Sequence, residues 1–183
     1  MIPGPRRRFG GFGTRVLEVP GESPPVVLLH GYADSADTWA HVLRGFGEAG
    51  QRAMAVDLPG FGQAGARAPG SLVDQFDTFA RSLLDDMGPA VLVGNSLGAA
   101  TAVRAATRQP DRVAGLGALD DPVNARHWLA RLARLRPVPA SVWSGVARIP
   151  VPAPAVRWAT GMATRRILYG PGAVVDPGVV RRW

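Results

Sequence analysis

Residues 90–100, AVLVGNSLGAA, constrain this chain more than any other stretch. A short apolar run meets Gly94-Asn95-Ser96-Leu97-Gly98 and passes at once into an alanine-rich, helix-forming segment. The run fits a buried strand, and a glycine two residues to either side of a serine fits the sharp strand-to-helix turn that lifts a hydroxyl out of a parallel sheet. Glycine suits both places because a Cβ there would meet the neighbouring strand or the following helix. Ser96 is therefore a candidate nucleophile, and the competing reading is a plain helix N-cap, a position serine favours. Because the 183 residues include 23 glycines, the pentapeptide can arise by chance, and its surroundings must decide.

The surroundings alternate. Residues 1–11 are dominated by Pro, Gly and Arg and read as a flexible N-terminal arm, followed by partial alternation at 12–19 (FGTRVLEV) that suits an edge strand. After a turn at 20–25, VVLLH at 26–30 is continuous and apolar, as in central parallel strands covered on both faces. Asp34 to Asp37 offers N-caps for a helix presenting Trp39, Val42, Leu43 and Phe46 on one face. A strand at 52–57 ends in Pro59-Gly60-Phe61-Gly62, and a polar, glycine-rich loop fills 64–70. Ser71 with Asp74 resembles a capping box ahead of a helix striped by Leu72, Phe76, Phe79, Leu83 and Leu84 and ending near Gly88-Pro89. The serine strand comes next, then a helix over 97–107 and a strand at 113–119 (VAGLGAL) that stops at Asp120-Asp121. This rhythm predicts an α/β fold, a doubly wound and mostly parallel sheet, over residues 12–121.

Residues 122–183 differ. A helix candidate at 123–135 carries Trp128, Leu129, Leu132 and Leu135 on one face, and prolines punctuate the rest of the segment. Four of the five tryptophans fall here, which reads as a helical lid over the carboxyl ends of the strands. The net charge of +7 also lies here, with ten arginines against the single acid Asp176. All 21 basic residues of the chain are arginine, which points to coding bias, and no nucleic-acid-binding module accompanies them. Without cysteine there are no disulfides, thiol nucleophiles or cysteine-held metals. Apolar runs of about five residues fall far short of a membrane span, and no apolar segment comes after the basic N-terminus as a secretory signal would require. A soluble, cytoplasmic protein with a small-molecule substrate, no nucleic-acid partner and no metal or cofactor is expected.

His30-Gly31-Tyr32 closes the first central strand, and its backbone N–H at Tyr32 would join that of Leu97 as an oxyanion hole, two donors aimed at the charge an attacked carbonyl develops. His30 would anchor that loop, and Asp57 would accept backbone bonds at the next strand end. Together LLHGY at 28–32, DLPGFG at 57–62 and VLVGNSLGAA at 91–100 resemble the serine α/β-hydrolase superfamily, in particular its lidded esterase and carbon–carbon bond hydrolase-like group. The resemblance implies an acyl-enzyme formed on Ser96. Members with an aspartate nucleophile, the epoxide hydrolases and haloalkane dehalogenases, fit less well because Ser96 stands in that place.

The family order of serine, acid, histidine implies a late histidine, yet the three present are His30, His41 and His127, and none matches. Asp120 or Asp121, at the end of a strand, is the candidate acid, and Asp176 is isolated in the lid. The resemblance thus implies a chain that stops early, with the C-terminal part of the core absent and the apolar edge of strand 113–119 left for a partner chain to cover. The expected activity is hydrolysis of an ester or similar carbonyl compound, with catalytic machinery incomplete in this chain. Trp128, Trp143 and Trp158 suggest an apolar or aromatic substrate, unless they merely pack the lid. The rivals are a non-catalytic, truncated homologue offering a binding surface, and cofactor-free haloperoxidase-like chemistry.

Overall fold

The computed structural model describes residues 2–120. Among these, six strands form one sheet: β1 (Arg6–Phe9), β2 (Phe12–Val19), β3 (Glu22–Leu29), β4 (Gln51–Val56), β5 (Ala90–Asn95) and β6 (Val113–Leu119). Three α-helices accompany them, α1 (Ala40–Glu48), α2 (Leu72–Met87) and α3 (Leu97–Arg108). The spatial order is β1-β2-β4-β3-β5-β6; the last four of these strands run parallel, and β1 and β2 join antiparallel. This is the mixed, mostly parallel sheet expected from the sequence.

Strand alternation divides each apolar run between two layers. Val27, Leu29, Met54 and Val56 face α2 and pack with Phe76, Phe79 and Leu83. Val26, Leu28, Ala53 and Ala55 face the other way and pack with Trp39 and Leu43. A central strand buried on both faces has no polar side to show, which is why VVLL reads as continuous.

Three expectations are corrected. Arg6–Phe9 is a strand, although it lies in the stretch read as a flexible arm: Gly10 and Gly11, at φ +56° and +87°, turn the chain so that Phe9 pairs with Phe12. Phe9 is buried edge-on against Phe79, with ring centroids 5.6 Å apart, and β2 has a neighbour on either side rather than an open edge. Val42 is exposed instead of sharing the apolar face of α1. A 3₁₀ turn at Ala36–Trp39 precedes that helix, and Trp39, Leu43 and the half-buried Phe46 are the residues turned inward as expected.

The chain crosses from β3 to β4 on one side and reaches β5 on the other, so the connections diverge at the carboxyl end of β3. Open α/β sheets bind ligands at such a divergence. Half of the expected capping box is present: Ser71 Oγ accepts from the Asp74 N–H at 3.3 Å, without a return bond from the Asp74 carboxylate to the Ser71 N–H. Among the described residues, β6 ends the sheet and exposes Leu116 and Leu119. No described helix is long and apolar enough to cross a membrane. The lid assigned to 122–183 lies outside the described residues.

Candidate active site

β5 delivers the chain into α3 through Ser96, whose backbone sits at φ +51°, ψ −111°. A non-glycine residue there costs about 1–3 kcal/mol, and the surroundings must enforce it. A Cβ on Gly94 would fall on the Gly98 carbonyl and the Ala99 nitrogen, and one on Gly98 would fall on the Leu29 carbonyl. Strand, turn and helix therefore meet backbone to backbone, as only glycine permits. The Ser96 N–H donates to the Leu119 carbonyl at 2.9 Å, and its own carbonyl accepts from the Ala100 N–H at 3.0 Å. Ser96 occupies the N-cap place of α3 but its side chain makes no cap bond, unlike Ser71 on α2. The plain N-cap reading does not describe it. Its hydroxyl sits at the positive end of a twelve-residue helix, a location that favours developing negative charge.

β3 lies beside β5 with Leu29 opposite Gly94, which brings the loop after β3 to the elbow. A Cβ on Gly31 would stand 3.6 Å from the Ser96 Cβ, so the chain at Gly31, leading into Tyr32, passes close to the serine. Among the described residues, neither the Tyr32 N–H nor the Leu97 N–H donates to a backbone carbonyl. The Tyr32 side chain is exposed and lies edge-on to Phe61, with centroids 5.4 Å apart.

His30 is fully buried with both ring nitrogens engaged. Its Nε2 accepts the Leu58 N–H at 2.9 Å, which assigns the ring proton to Nδ1, 2.7 Å from the Gly31 carbonyl that receives it. Burial holds the ring below the usual histidine pKa and outweighs the Gly31 carbonyl, which favours the charged form. A neutral imidazole spent on two backbone groups ties the end of β3 to the end of β4.

Asp57 is equally committed. Its Oδ1 accepts the Ala36 N–H at 2.7 Å, its Oδ2 accepts the Gln63 N–H at 2.8 Å, and Arg15 donates to both oxygens from Nε (2.8 Å) and Nη2 (3.0 Å). Arg15 also reaches Asp37 Oδ1 at 2.9 Å through Nη1. Burial alone would raise the Asp37 carboxyl, but the Ile2 N–H and the Arg15 guanidinium outweigh it and hold it below its ordinary value. Sequence reasoning passes over Arg15 and takes Asp37 only as one of several N-cap candidates. The available signal is an arginine two residues before Leu17, on the inward side of an apolar strand.

Asp120 stands at the carboxyl end of β6, at φ +50°, exposed and without a side-chain hydrogen bond among the described residues. It comes directly after Leu119, the residue that binds the Ser96 N–H, so it shares the end of the sheet with the elbow. His41 lies on α1 with its Nδ1 3.2 Å from Arg44 Nη2, in an exposed pairing. Asp121, His127, Asp176, Trp128, Trp143 and Trp158 lie outside the described residues. Among the described residues no three His, Asp or Glu side chains converge as metal ligands.

The family model described as alpha/beta hydrolase fold matches residues 24–150. An esterase of Mycobacterium tuberculosis is 39% identical over 103 residues, covering 55% of this chain and 34% of that protein. An epoxide hydrolase of Caballeronia sordidicola is 32% identical over 130 residues, covering 69% of this chain and 39% of that protein. The crystal structure of epoxide hydrolase A from Mycobacterium thermoresistibile superposes with a TM-score of 0.54 at 29% identity, over 61% of this chain and 37% of that one. The chain thus spans well under half the length of these relatives.

Proposed function

The chain belongs to the alpha/beta hydrolase fold family, and from that premise we propose that it carries the nucleophile half of a serine hydrolase acting on an ester or similar carbonyl compound. The observation that supports this most is Ser96 itself, held at φ +51° between two glycines that admit no side chain, at the head of α3 and beside the Gly31-Tyr32 backbone. In this reading Ser96 Oγ adds to the substrate carbonyl carbon while a base takes its proton. The carbonyl oxygen becomes an oxyanion that accepts hydrogen bonds from the Tyr32 and Leu97 N–H groups. The carbon–oxygen bond to the leaving alcohol breaks, and the alcohol departs with the proton. Water then adds to the acyl-enzyme by the same route, releasing the acid and restoring Ser96.

Chemistry separates this from the epoxide-opening activity that several relatives are named for. Attack of a serine oxygen on an epoxide carbon would leave an ether, which has no carbonyl for water to add to. A carboxylate in that place leaves an ester, which does. Ser96 therefore suits an acyl substrate.

The second reading is a non-catalytic protein that keeps the carboxyl end of the sheet as a binding surface. It is favoured by the histidines: His30 is neutral with both nitrogens occupied, and His41 pairs with Arg44 on the outside of α1. A base for Ser96 would come from outside residues 2–120. The two readings part on turnover of short-chain aryl esters by the purified chain. The hydrolase reading expects turnover that Ser96→Ala lowers by about a thousandfold or more in kcat/KM. Turnover that survives Ser96→Ala, or folded protein with neither turnover nor fluorophosphonate labelling of Ser96, overturns it for this chain.

A further inference from the structure

We propose that Arg15 is a positioning residue for the candidate active site: together with Ile2 of the N-terminal segment it clamps the loop that runs past Ser96. The inference rests on the reading of the Tyr32 N–H as an oxyanion donor, and it adds to that reading what holds the donor in place.

Residues 30–37 are fastened at three points. At the near end His30 Nε2 holds the Leu58 N–H, in the middle of the far half the Ala36 N–H is held by Asp57, and at the far end the Asp37 carboxylate is held by Arg15. Between the first two points run Gly31, Tyr32, Ala33, Asp34 and Ser35, with Ala33 at φ +54°. Within these five, the Asp34 side chain and the Gly31 carbonyl bond only to their chain neighbours Ser35 and His30, and Ser35 bonds onward, its hydroxyl donating to Asp37 Oδ2 and its carbonyl accepting the Thr38 N–H, close along the same stretch of chain. The path of the backbone past Ser96 is therefore set by where its anchors stand.

Arg15 fixes two of the three. Its side chain is fully buried, and it spans Asp57 bidentately while its remaining terminal nitrogen reaches Asp37 and the Ile2 carbonyl. Ile2 closes the circle by donating its N–H to Asp37 Oδ1 at 2.9 Å. Pro5 continues the attachment, its carbonyl accepting the Val16 N–H at 2.9 Å. Without the guanidinium, two carboxylates would share a dry site, and each would move or take up a proton. Lysine has a single charged point on a flexible stem and cannot hold both carboxylates in a fork.

Stability alone does not account for this arrangement. Apolar side chains of similar volume stabilise a core as well as a buried ion triad does. They would leave the Ala36 N–H without its acceptor and the loop without its fixed points.

The test uses the full chain with Arg15→Lys and with Asp37→Asn, which keeps the side-chain shape, removes one buried charge and serves if Arg15→Lys does not fold. Arg104→Gln, which breaks a pair between α3 and Asp77, is the control for lost stability. Two quantities are read: amide hydrogen exchange in residues 31–36, and the rate at which a fluorophosphonate labels Ser96. The clamp predicts that exchange in this loop rises about tenfold or more in the clamp variants and that labelling slows by a similar factor. It predicts that both stay near wild type in Arg104→Gln at an equal urea midpoint. Unchanged loop exchange in the clamp variants, or an equal rise in the control, overturns it. If wild-type Ser96 is not labelled at all, the hydrolase reading fails, and the exchange measurement alone still decides whether Arg15 holds the loop.

Discussion

Ser96 carries backbone strain at the centre of the candidate site, and that strain can be weighed. A residue at φ +51° is relieved by glycine, which adopts that backbone freely but adds its own disorder to the unfolded chain. Ser96→Gly is expected to raise stability by about 1 kcal/mol in urea denaturation while abolishing any esterase activity. Gly98→Ala acts in the opposite sense. Its methyl would land on the Leu29 carbonyl, backbone that cannot swing away, and a loss of about 3 kcal/mol or more is expected in urea denaturation. At this scale much is readable from sequence, because Gly94, Ser96 and Gly98 are close together and each obeys a local steric rule. The anchoring part played by His30 is readable for the same reason. For Arg15 the strand pattern shows only that the position faces inward, two residues before Leu17; its partners lie 22 and 42 residues away, so what it binds is not readable.

The elements are legible where their composition is typical and hidden where it is not. β2 and β6 have the predicted bounds, and β5 runs into α3 as the elbow requires. β1 escapes notice because Arg6, Arg7 and Arg8 do not look like a strand; the signal is Gly10-Gly11, a two-residue turn that folds the chain back. Between elements, Asp77 on α2 accepts Arg104 from α3 at 2.9 and 2.6 Å, with Arg108 at 3.3 Å. The Arg104 hydrogen bonds hold the Asp77 carboxyl below its ordinary value. A carboxyl whose folded pKa is depressed stabilises the fold above its unfolded value of about 3.9 and loses that contribution as pH falls through the folded value. Asp77→Asn should lower stability at neutral pH and flatten this part of the acid limb, as read from urea midpoints taken from about pH 6 to about pH 3.

Across residues 2–120 as a whole, the strand ends and the loops that follow them are tied together by His30 and by the Arg15 group, in addition to the apolar core. His30 binds a proton more readily in the unfolded chain than in the folded one, because burial depresses its pKa. Stability is therefore full above about pH 6.5 and declines as pH drops below it, until the folded ring too is protonated. His30→Gln should remove that slope while lowering stability throughout, a difference that thermal melts at several pH values would register. The general plan of the sheet is readable because a parallel strand buried on both faces has few alternatives. The histidine that would complete a catalytic set is not found among the described residues, since His30 serves the backbone and His41 pairs with Arg44. The most direct test of Ser96 as a nucleophile is mass spectrometry of the folded chain after fluorophosphonate treatment. One adduct is predicted, mapped to Ser96 and absent from Ser96→Ala; a folded chain with no adduct, or with the adduct on another residue, would contradict that assignment.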